Sequence, residues 1–349
     1  MGRAIPVAAP GCRHAISLSD GRIRLQEHAY RWPKWWGLKG SFPVCRLYKA
    51  AGFVYKLWKW CAARCFGGFG PLYLKPKTLD EAVSLLASTG GQILAGGTDF
   101  YPALGERLPR GNVVDITAVG EIRGISREAG GIRIGGLTTW TEVIRASLPR
   151  CFDALKAAAR EVGSVQIQNR GTVAGNLCNA SPAADGVPPL LALDAVVELA
   201  SAAGRRRLPL AEFLAGNRKT LRRPGEILTA VLVPLTLENA ASAFLKLGAR
   251  RYLVISISMV AAVVQPDDAG RVAEARVAVG SCSAKARRLV ELERALVGLP
   301  AKAGLGFAVR AEHLAGLSPI DDVRATADYR RDASLTLVQR ALESCVGAP

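Results

Sequence analysis

Histidine is scarce in this sequence: only His14, His28 and His313 occur among its 349 residues. A Ser-His-Asp or Cys-His mechanism needs an imidazole to activate its nucleophile. Beyond residue 70 only His313 could supply one, and it lies in a helix-like run, residues 309–314, where we expect a surface position. The sequence therefore disfavours chemistry built on such a base.

The eight cysteines are spread along the chain, and no two have the C-x-x-C spacing. Structural zinc sites and iron–sulfur clusters need clustered thiolates, so neither is expected on this chain. The first 30 residues lack the apolar segment of a secretory signal, and no run of 18 apolar residues could span a membrane. We therefore expect free thiols, no disulfide framework and a cytoplasmic protein.

Two common nucleotide-binding motifs are also missing. The pattern G-x-G-x-x-G occurs nowhere, and no Gly-Lys dipeptide exists to complete a P-loop. A Rossmann fingerprint and a Walker A loop are thus excluded. Any nucleotide must be bound in another way.

Acidic residues are too few to balance the basic ones, and the formal net charge is +17. Residues 1–70 contribute +10 of this total and hold five of the six tryptophans. Beyond them the basic residues are scattered and do not alternate with aromatic residues, as a stacking platform for nucleic acid would require. We expect no nucleic-acid binding.

Residues 1–70 differ in composition from the rest of the chain. Between residues 44 and 65 apolar residues recur at helical spacing, with Lys49, Lys56 and Lys59 largely opposite them. Such a basic amphipathic helix could lie on a membrane surface or dock on a partner. The sequence leaves open the alternative that this segment is an extension or a disordered arm rather than a domain.

Two glycine-rich turns dominate the remaining sequence. The first glycine turn, residues 93–99 (ILAGGTD), begins with an apolar run that predicts a buried strand. The second glycine turn is residues 170–176 (RGTVAGN). Glycine lets a backbone turn sharply and approach a ligand closely, and successive amide groups in such a turn form a nest for phosphate oxygens. Either turn alone could be merely structural, but the pair favours a ligand with two phosphates, such as a dinucleotide.

Hydrophobic periodicity divides the chain beyond residue 70 into two parts. Residues 71–116 predict a βαβ-like unit whose helix, residues 79–88, starts at a capping box of Thr78 and Glu81. Further helices are expected over residues 140–145 and 152–162. The last part predicts a separate α+β unit, with strands over residues 227–233, 242–247, 254–264 and 271–279 and helices over residues 284–296 and 325–342.

The motifs resemble those of the FAD-binding (medium) subunits of molybdenum hydroxylases, the group of xanthine dehydrogenase and aerobic carbon monoxide dehydrogenase. Residues 95–99 (AGGTD) are similar to the family's first FAD motif and residues 172–176 (TVAGN) to its second. Residues 181–185 (SPAAD) resemble the segment whose aspartate contacts the flavin nucleotide. Weaker similarity, at residues 226–228, 244–246 and 329–331, extends the resemblance over about residues 71–343.

The resemblance implies an α+β fold: a PCMH/VAO-type, two-subdomain FAD-binding fold followed by a C-terminal α+β domain with an antiparallel sheet and helices. The implied domains are an atypical N-terminal extension (residues 1–69), the FAD-binding domain (70–240) and the C-terminal domain (241–349). The implied cofactor is FAD, and the chain itself is expected to hold no metal and no catalytic side chain. The implied FAD-binding residues are Leu94, Ala95, Gly96, Gly97, Thr98, Asp99, Thr172, Val173, Ala174, Gly175, Asn176, Asp185, Leu228 and Lys246.

The resemblance also implies a role as an electron-transfer oxidoreductase subunit. In the family a substrate is hydroxylated at a molybdopterin site on a large subunit, and electrons pass through two [2Fe–2S] clusters on a small subunit to FAD. They then pass to NAD, oxygen or a quinone. The expected assembly is a heterotrimer or a dimer of heterotrimers, in which backbone amides of both glycine turns grip the FAD diphosphate.

Some features remain open or depart from the family pattern. Ala174 stands where the family usually has glycine, and residues 1–70 have no counterpart in the usual medium subunit. Asp185 either caps a helix or accepts hydrogen bonds from a ribityl or ribose hydroxyl. Because Cys178 stands alone after the second motif, no extra [4Fe–4S] cluster is expected. Two other functions stay open: a self-contained FAD oxidoreductase, and a non-catalytic protein that docks on a membrane or partner.

Overall fold

The computed structural model describes residues 15–19, 22–26 and 71–347. The chain divides into two units, Met1–Phe66 and Gly67–Pro349. In the first unit, strand β1 (Ala15–Ser19) pairs antiparallel with strand β2 (Arg22–Gln26). The helix that the sequence predicts over residues 44–65 lies outside the described residues.

A small parallel sheet opens the second unit and carries the first glycine turn at the end of its edge strand. Helix α1 (Leu79–Thr89) starts at Thr78, whose side chain accepts a hydrogen bond from the amide of Glu81, and ends at Gly90 in a left-handed conformation. The helix returns the chain so that the next strand runs parallel to the first. In the order β3-β5-β4, the sheet consists of β3 (Tyr73–Leu74), β4 (Gln92–Leu94) and β5 (Val113–Asp115).

A five-stranded antiparallel sheet forms the middle of this unit. Its order is β6-β7-β12-β8-β9, with β6 (Ile125–Glu128), β7 (Gly131–Gly135), β8 (Val196–Ser201), β9 (Gly204–Pro209) and β12 (Ile227–Pro234). The helices of this part are α2 (Phe100–Leu104), α3 (Trp140–Arg145), α4 (Asp153–Glu161), α5 (Val165–Gln168), α6 (Val173–Asn179), α7 (Val187–Ala192) and α8 (Leu210–Phe213). A short hairpin joins β10 (Leu214–Gly216) to β11 (Lys219–Thr220). The fully buried rings of Trp140, Phe152 and Phe213 belong to the core of this region.

The C-terminal part is a four-stranded antiparallel sheet with helices. In the order β13-β14-β15-β16, its strands are β13 (Ala241–Leu247), β14 (Ser258–Pro266), β15 (Val272–Gly280) and β16 (Arg287–Arg288), and its helices are α9 (Val290–Leu296) and α10 (Ala327–Val346). Successive side chains of a strand point to opposite faces. Met259 and Ala261 accordingly join the core of the middle region, whereas Val260 and Ala262 pack in a second core with α10. The C-terminal sheet is therefore buried on both faces.

The α+β class expected from the sequence is confirmed, but two predicted elements are wrong. Residues 284–296 do not form one helix, because Arg287 and Arg288 pair with β15 instead. Arg288 is fixed there by an ion pair to Glu293, with its Nε 2.6 Å from Oε1. The strand predicted over residues 254–264 begins only at Ser258, after Leu253 takes a left-handed conformation with φ +53°. Tertiary contacts override local propensity at both places.

Candidate functional site

The two glycine turns line one cleft, with a volume of about 470 Å³. A cleft of this size is typical of small-molecule and cofactor sites. Ten of the fourteen residues predicted to bind FAD line it: Ala95, Gly96, Gly97, Thr98, Asp99, Thr172, Ala174, Gly175, Asn176 and Leu228. The other four do not: Leu94 and Val173 are buried in the protein core, and Asp185 and Lys246 form a separate pair.

The first glycine turn presents free amide groups to the cleft. Gly97 has φ +78°, a conformation that L side chains rarely adopt, and so the chain turns sharply after β4. Among the described residues, the amide groups of Gly96, Gly97 and Thr98 donate to no protein acceptor. Consecutive unpaired amides at a turn are the donors of an anion-binding nest.

The two glycine turns touch each other directly. A Cβ atom built on Gly96 would collide with the backbone carbonyl of Arg170. Thr98 Oγ1 lies 3.5 Å from the position of a Cβ atom on Gly171. Glycine at position 96 allows this approach, and residues of both turns line the same cleft.

The second glycine turn differs from expectation, because among the described residues all of its amides except that of Thr172 already donate to protein acceptors. The amides of Val173 and Ala174 donate to the carbonyls of Thr138 and Gly136, at 2.9 and 3.1 Å. The next two amides, of residues 175 and 176, donate to the side-chain and backbone oxygens of Thr172 at 3.1 and 3.0 Å. The first turn therefore keeps three backbone donors for a ligand, and the second keeps only the amide of Thr172.

The second turn offers side chains instead. The hydroxyl of Thr172 caps α6 and keeps its own proton for a ligand acceptor. The Oδ1 atom of Asn176 is buried and has no hydrogen-bond partner among the described residues. Buried polar atoms are rarely left unpaired in a finished structure, which marks Asn176 as a group that a ligand would satisfy.

Ala174 is accommodated without backbone strain. It lies in the first turn of α6 and has none of the positive φ values that would demand glycine. Ala174 is 8% exposed, and its methyl group lies close to Gly136. The family glycine is therefore not required by the backbone conformation at this position.

Asp185 and Lys246 form a buried ion pair. Lys246 Nζ lies 2.7 Å from Asp185 Oδ2, and both side chains are less than a tenth exposed. Lys246 also donates to the carbonyl of Glu161 at 3.3 Å, and Ser256 Oγ donates to Asp185 Oδ1 at 2.6 Å. Burial raises the pKa of Asp185 more than Lys246 and Ser256 lower it. The pair joins the segment after α6 to β13.

The cleft residues that sequence reasoning missed include Trp140 and Arg222. Trp140 is buried at the start of α3 and contacts the backbone at Gly186. Arg222 lies between β11 and β12 and is the sole Lys or Arg among the described residues that line the cleft. Its only signal in the sequence is the dipeptide Arg222-Arg223, which resembles the other scattered basic pairs.

Cys178 also lines the cleft but is not activated as a nucleophile. Burial raises the pKa of its thiol to about 11, and the nearby charge of Arg222 opposes this shift only weakly. Within the described residues, no group of three or more His, Cys, Asp or Glu side chains could hold a metal ion. The helices described here include none that is long and apolar enough to cross a membrane.

Comparison with protein families gives two matches that together span most of the second unit. Residues 65–236 match the FAD binding domain in molybdopterin dehydrogenase. Residues 243–345 match the CO dehydrogenase flavoprotein C-terminal domain.

Curated relatives agree with these matches. The chain is 37% identical to the nicotinate dehydrogenase FAD-subunit of Eubacterium barkeri, over 65% of this chain and 80% of that protein. It is 33% identical to the xanthine dehydrogenase FAD-binding subunit of Escherichia coli O157:H7, over 79% of this chain and 96% of that protein.

Solved structures show the same likeness. A chain of the carbon monoxide dehydrogenase from Hydrogenophaga pseudoflava superimposes with a TM-score of 0.72 at 28% identity, covering 79% of this chain and 96% of that one. A chain of quinoline 2-oxidoreductase from Pseudomonas putida 86 gives a TM-score of 0.71 at 27% identity, covering 80% and 97%.

Proposed function

This chain belongs to the FAD-binding subunits of the molybdenum hydroxylase family, and on that basis we propose that it is the electron-transfer subunit of a molybdopterin-dependent hydroxylase or dehydrogenase. It is an oxidoreductase subunit of the xanthine and carbon monoxide dehydrogenase type. When bound, FAD supplies the redox chemistry, which we propose is acceptance of electrons from [2Fe–2S] clusters and their transfer to NAD, oxygen or a quinone. The protein's own task is to bind and orient the cofactor.

One observation carries the proposal: Gly96, Gly97 and Thr98, whose amides are unpaired among the described residues, line a cleft that is also lined by the second glycine turn. We propose that these amides donate to the FAD diphosphate. The Thr172 hydroxyl and the Asn176 side chain are proposed to bind the cofactor from the other turn. We also propose that Leu228, the second residue of β12, makes apolar contacts with the flavin or adenine ring.

The remaining predicted residues are proposed to act from outside the cleft lining. Leu94 and Val173 hold the two turns in place from the core, where both are buried. The Asp185–Lys246 ion pair, buried outside the cleft lining, is proposed to hold the segment after α6 against β13. No step of this mechanism needs a catalytic acid or base from the chain.

The proposed partners are a molybdopterin-binding large subunit and a small subunit with [2Fe–2S] clusters, in a heterotrimer or a dimer of heterotrimers. The described cysteines are free thiols, as expected in the reducing cytoplasm where we place the complex. We propose domains at residues 1–69, 70–240 and 241–349. The last boundary is supported by the loop between β12 and β13, which also separates the two family matches.

Spectroscopy of the full chain tests the proposal. We expect the purified protein to be yellow and to release FAD on denaturation. It should oxidise no substrate alone and should accept electrons only after a reduced iron–sulfur subunit is added. A folded, colourless chain that ignores added FAD would overturn the proposal. Turnover by the isolated chain would favour a self-contained oxidoreductase instead.

A further inference from the structure

The negative charge of a bound diphosphate is incompletely balanced by the backbone. The first glycine turn has three free amides, whereas in the second only the amide of Thr172 lacks an acceptor among the described residues, since those of residues 173–176 donate to protein acceptors. Asp99, at the end of the first turn, adds a negative charge to the cleft lining. A dianionic ligand bound here therefore needs a cation from another element.

Arg222 is that cation. It is the one Lys or Arg among the described residues lining the cleft. Its guanidinium forms no ion pair with the described carboxylates, since none of them lies within 4.0 Å. Its Nη1 donates to the carbonyl of Glu226 at 2.9 Å, and none of the described residues accepts a hydrogen bond from its other guanidinium N–H groups. Arginine offers five donors in a fixed fork that matches phosphate oxygens.

The loop that carries Arg222 is anchored firmly. The Glu226 side chain is buried and forms an ion pair with Arg206, with Nε 2.6 Å from Oε1. The same carboxylate accepts a hydrogen bond from the amide of Arg223 at 2.6 Å. These contacts fix both ends of the turn between β11 and β12. The head of Arg222 is thereby held near the cleft, while the Arg223 side chain does not line it.

We propose that Arg222 binds the diphosphate of FAD and sets the preference of the cleft for FAD over an unphosphorylated flavin. The inference rests on the proposed function, since it assumes that FAD occupies this cleft. It assigns to the loop between β11 and β12 a role that neither glycine turn supplies. Riboflavin, which has no phosphate, gains nothing from Arg222.

The test compares Arg222→Gln with Arg223→Gln, a neighbouring exposed arginine outside the cleft. Full-length protein freed of flavin is titrated with FAD and with riboflavin at low and high salt, and flavin fluorescence gives each Kd. Loss of a charge-assisted contact predicts a Kd for FAD that rises about tenfold in Arg222→Gln. Its salt dependence should fall, because exposed charges are screened by salt. Arg223→Gln should leave the Kd for FAD within about threefold.

Arg222→Lys keeps the charge without the fork and should recover part of the affinity. An unchanged Kd for riboflavin in Arg222→Gln supports the inference. Equal losses of affinity for FAD and for riboflavin in Arg222→Gln would overturn it, and so would equal FAD affinity in Arg222→Gln and Arg223→Gln. If the wild-type protein binds no FAD, the proposed function fails as well, whereas normal FAD binding by Arg222→Gln removes only the role of Arg222.

Discussion

The backbone carbonyl of Arg170 lies directly against Gly96, at the place where a side chain on residue 96 would begin. These residues are 74 positions apart in the sequence, and their contact joins the two glycine turns. The contact has a functional consequence. It places the free amides of the first turn beside Thr172 and Asn176, which lie on the second.

Gly96→Ala should separate the two turns and reduce FAD binding. The added methyl group must displace the Arg170 carbonyl, and such overpacking costs about 1–3 kcal/mol. We expect a lower FAD content per chain and a lower Tm. Gly120→Ala is the matched control, because a Cβ atom there meets no atom within 4 Å and its φ is not positive. Full FAD content in Gly96→Ala would show that the contact does not position the site.

Lys246→Met should destabilise the protein by leaving Asp185 buried without its partner. Breaking one side of a buried ion pair costs about 3–5 kcal/mol. The double variant Asp185→Asn with Lys246→Met should recover much of this loss, since no charge remains buried. Denaturant unfolding of flavin-free protein measures the free energy of unfolding of the single and double variants. Lys302→Met, at an exposed position, is the control. Additive effects of the two substitutions would contradict a coupled pair.

Because of Asp322, the stability of the C-terminal part should fall at acid pH. Burial alone would raise its pKa, but hydrogen bonds from Arg324 and Arg330 lower the pKa to about 2, from 3.8. Because the folded pKa is the lower one, the stabilisation is present above about pH 4 and is lost as pH falls towards 2. Near neutral pH the free energy of unfolding of wild type should exceed that of Asp322→Asn by about 1 kcal/mol, because solvent screens this partly exposed carboxylate, and the difference should disappear in acid. A gap that is independent of pH would refute this assignment.

Ala174→Gly should lower stability without improving FAD binding. Glycine inside a helix costs about 1 kcal/mol relative to alanine, and Ala174 already has a relaxed helical backbone. We expect a lower Tm and a Kd for FAD within about threefold of wild type. Ala158→Gly, at a buried position of α4 outside the cleft, controls for the helix effect. Much tighter FAD binding by Ala174→Gly alone would mean that the methyl group crowds the cofactor.

Local signals predicted several elements closely. The capping residues Thr78 and Thr139 fix where α1 and α3 start, and α3 has the predicted bounds. Both caps work through hydrogen bonds within three residues, so the sequence window contains the cause. The strand β16 was missed because its reason is distant: Arg288 pairs with Asp194 at 2.5 Å, across 94 positions of the chain.

The sequence by itself determined the glycine turn at the edge of the cleft, because only glycine allows the sharp turn at Gly97 and the close approach at Gly96. Only the tertiary structure decided which amides of the turns are free to bind a ligand. Whether an amide is free depends on which distant carbonyl packs against it, as Gly136 does against Ala174. Likewise, Arg222 reaches the cleft because the chain passes from the β10–β11 hairpin to β12, the central strand of the five-stranded sheet, and no local pattern specifies that position.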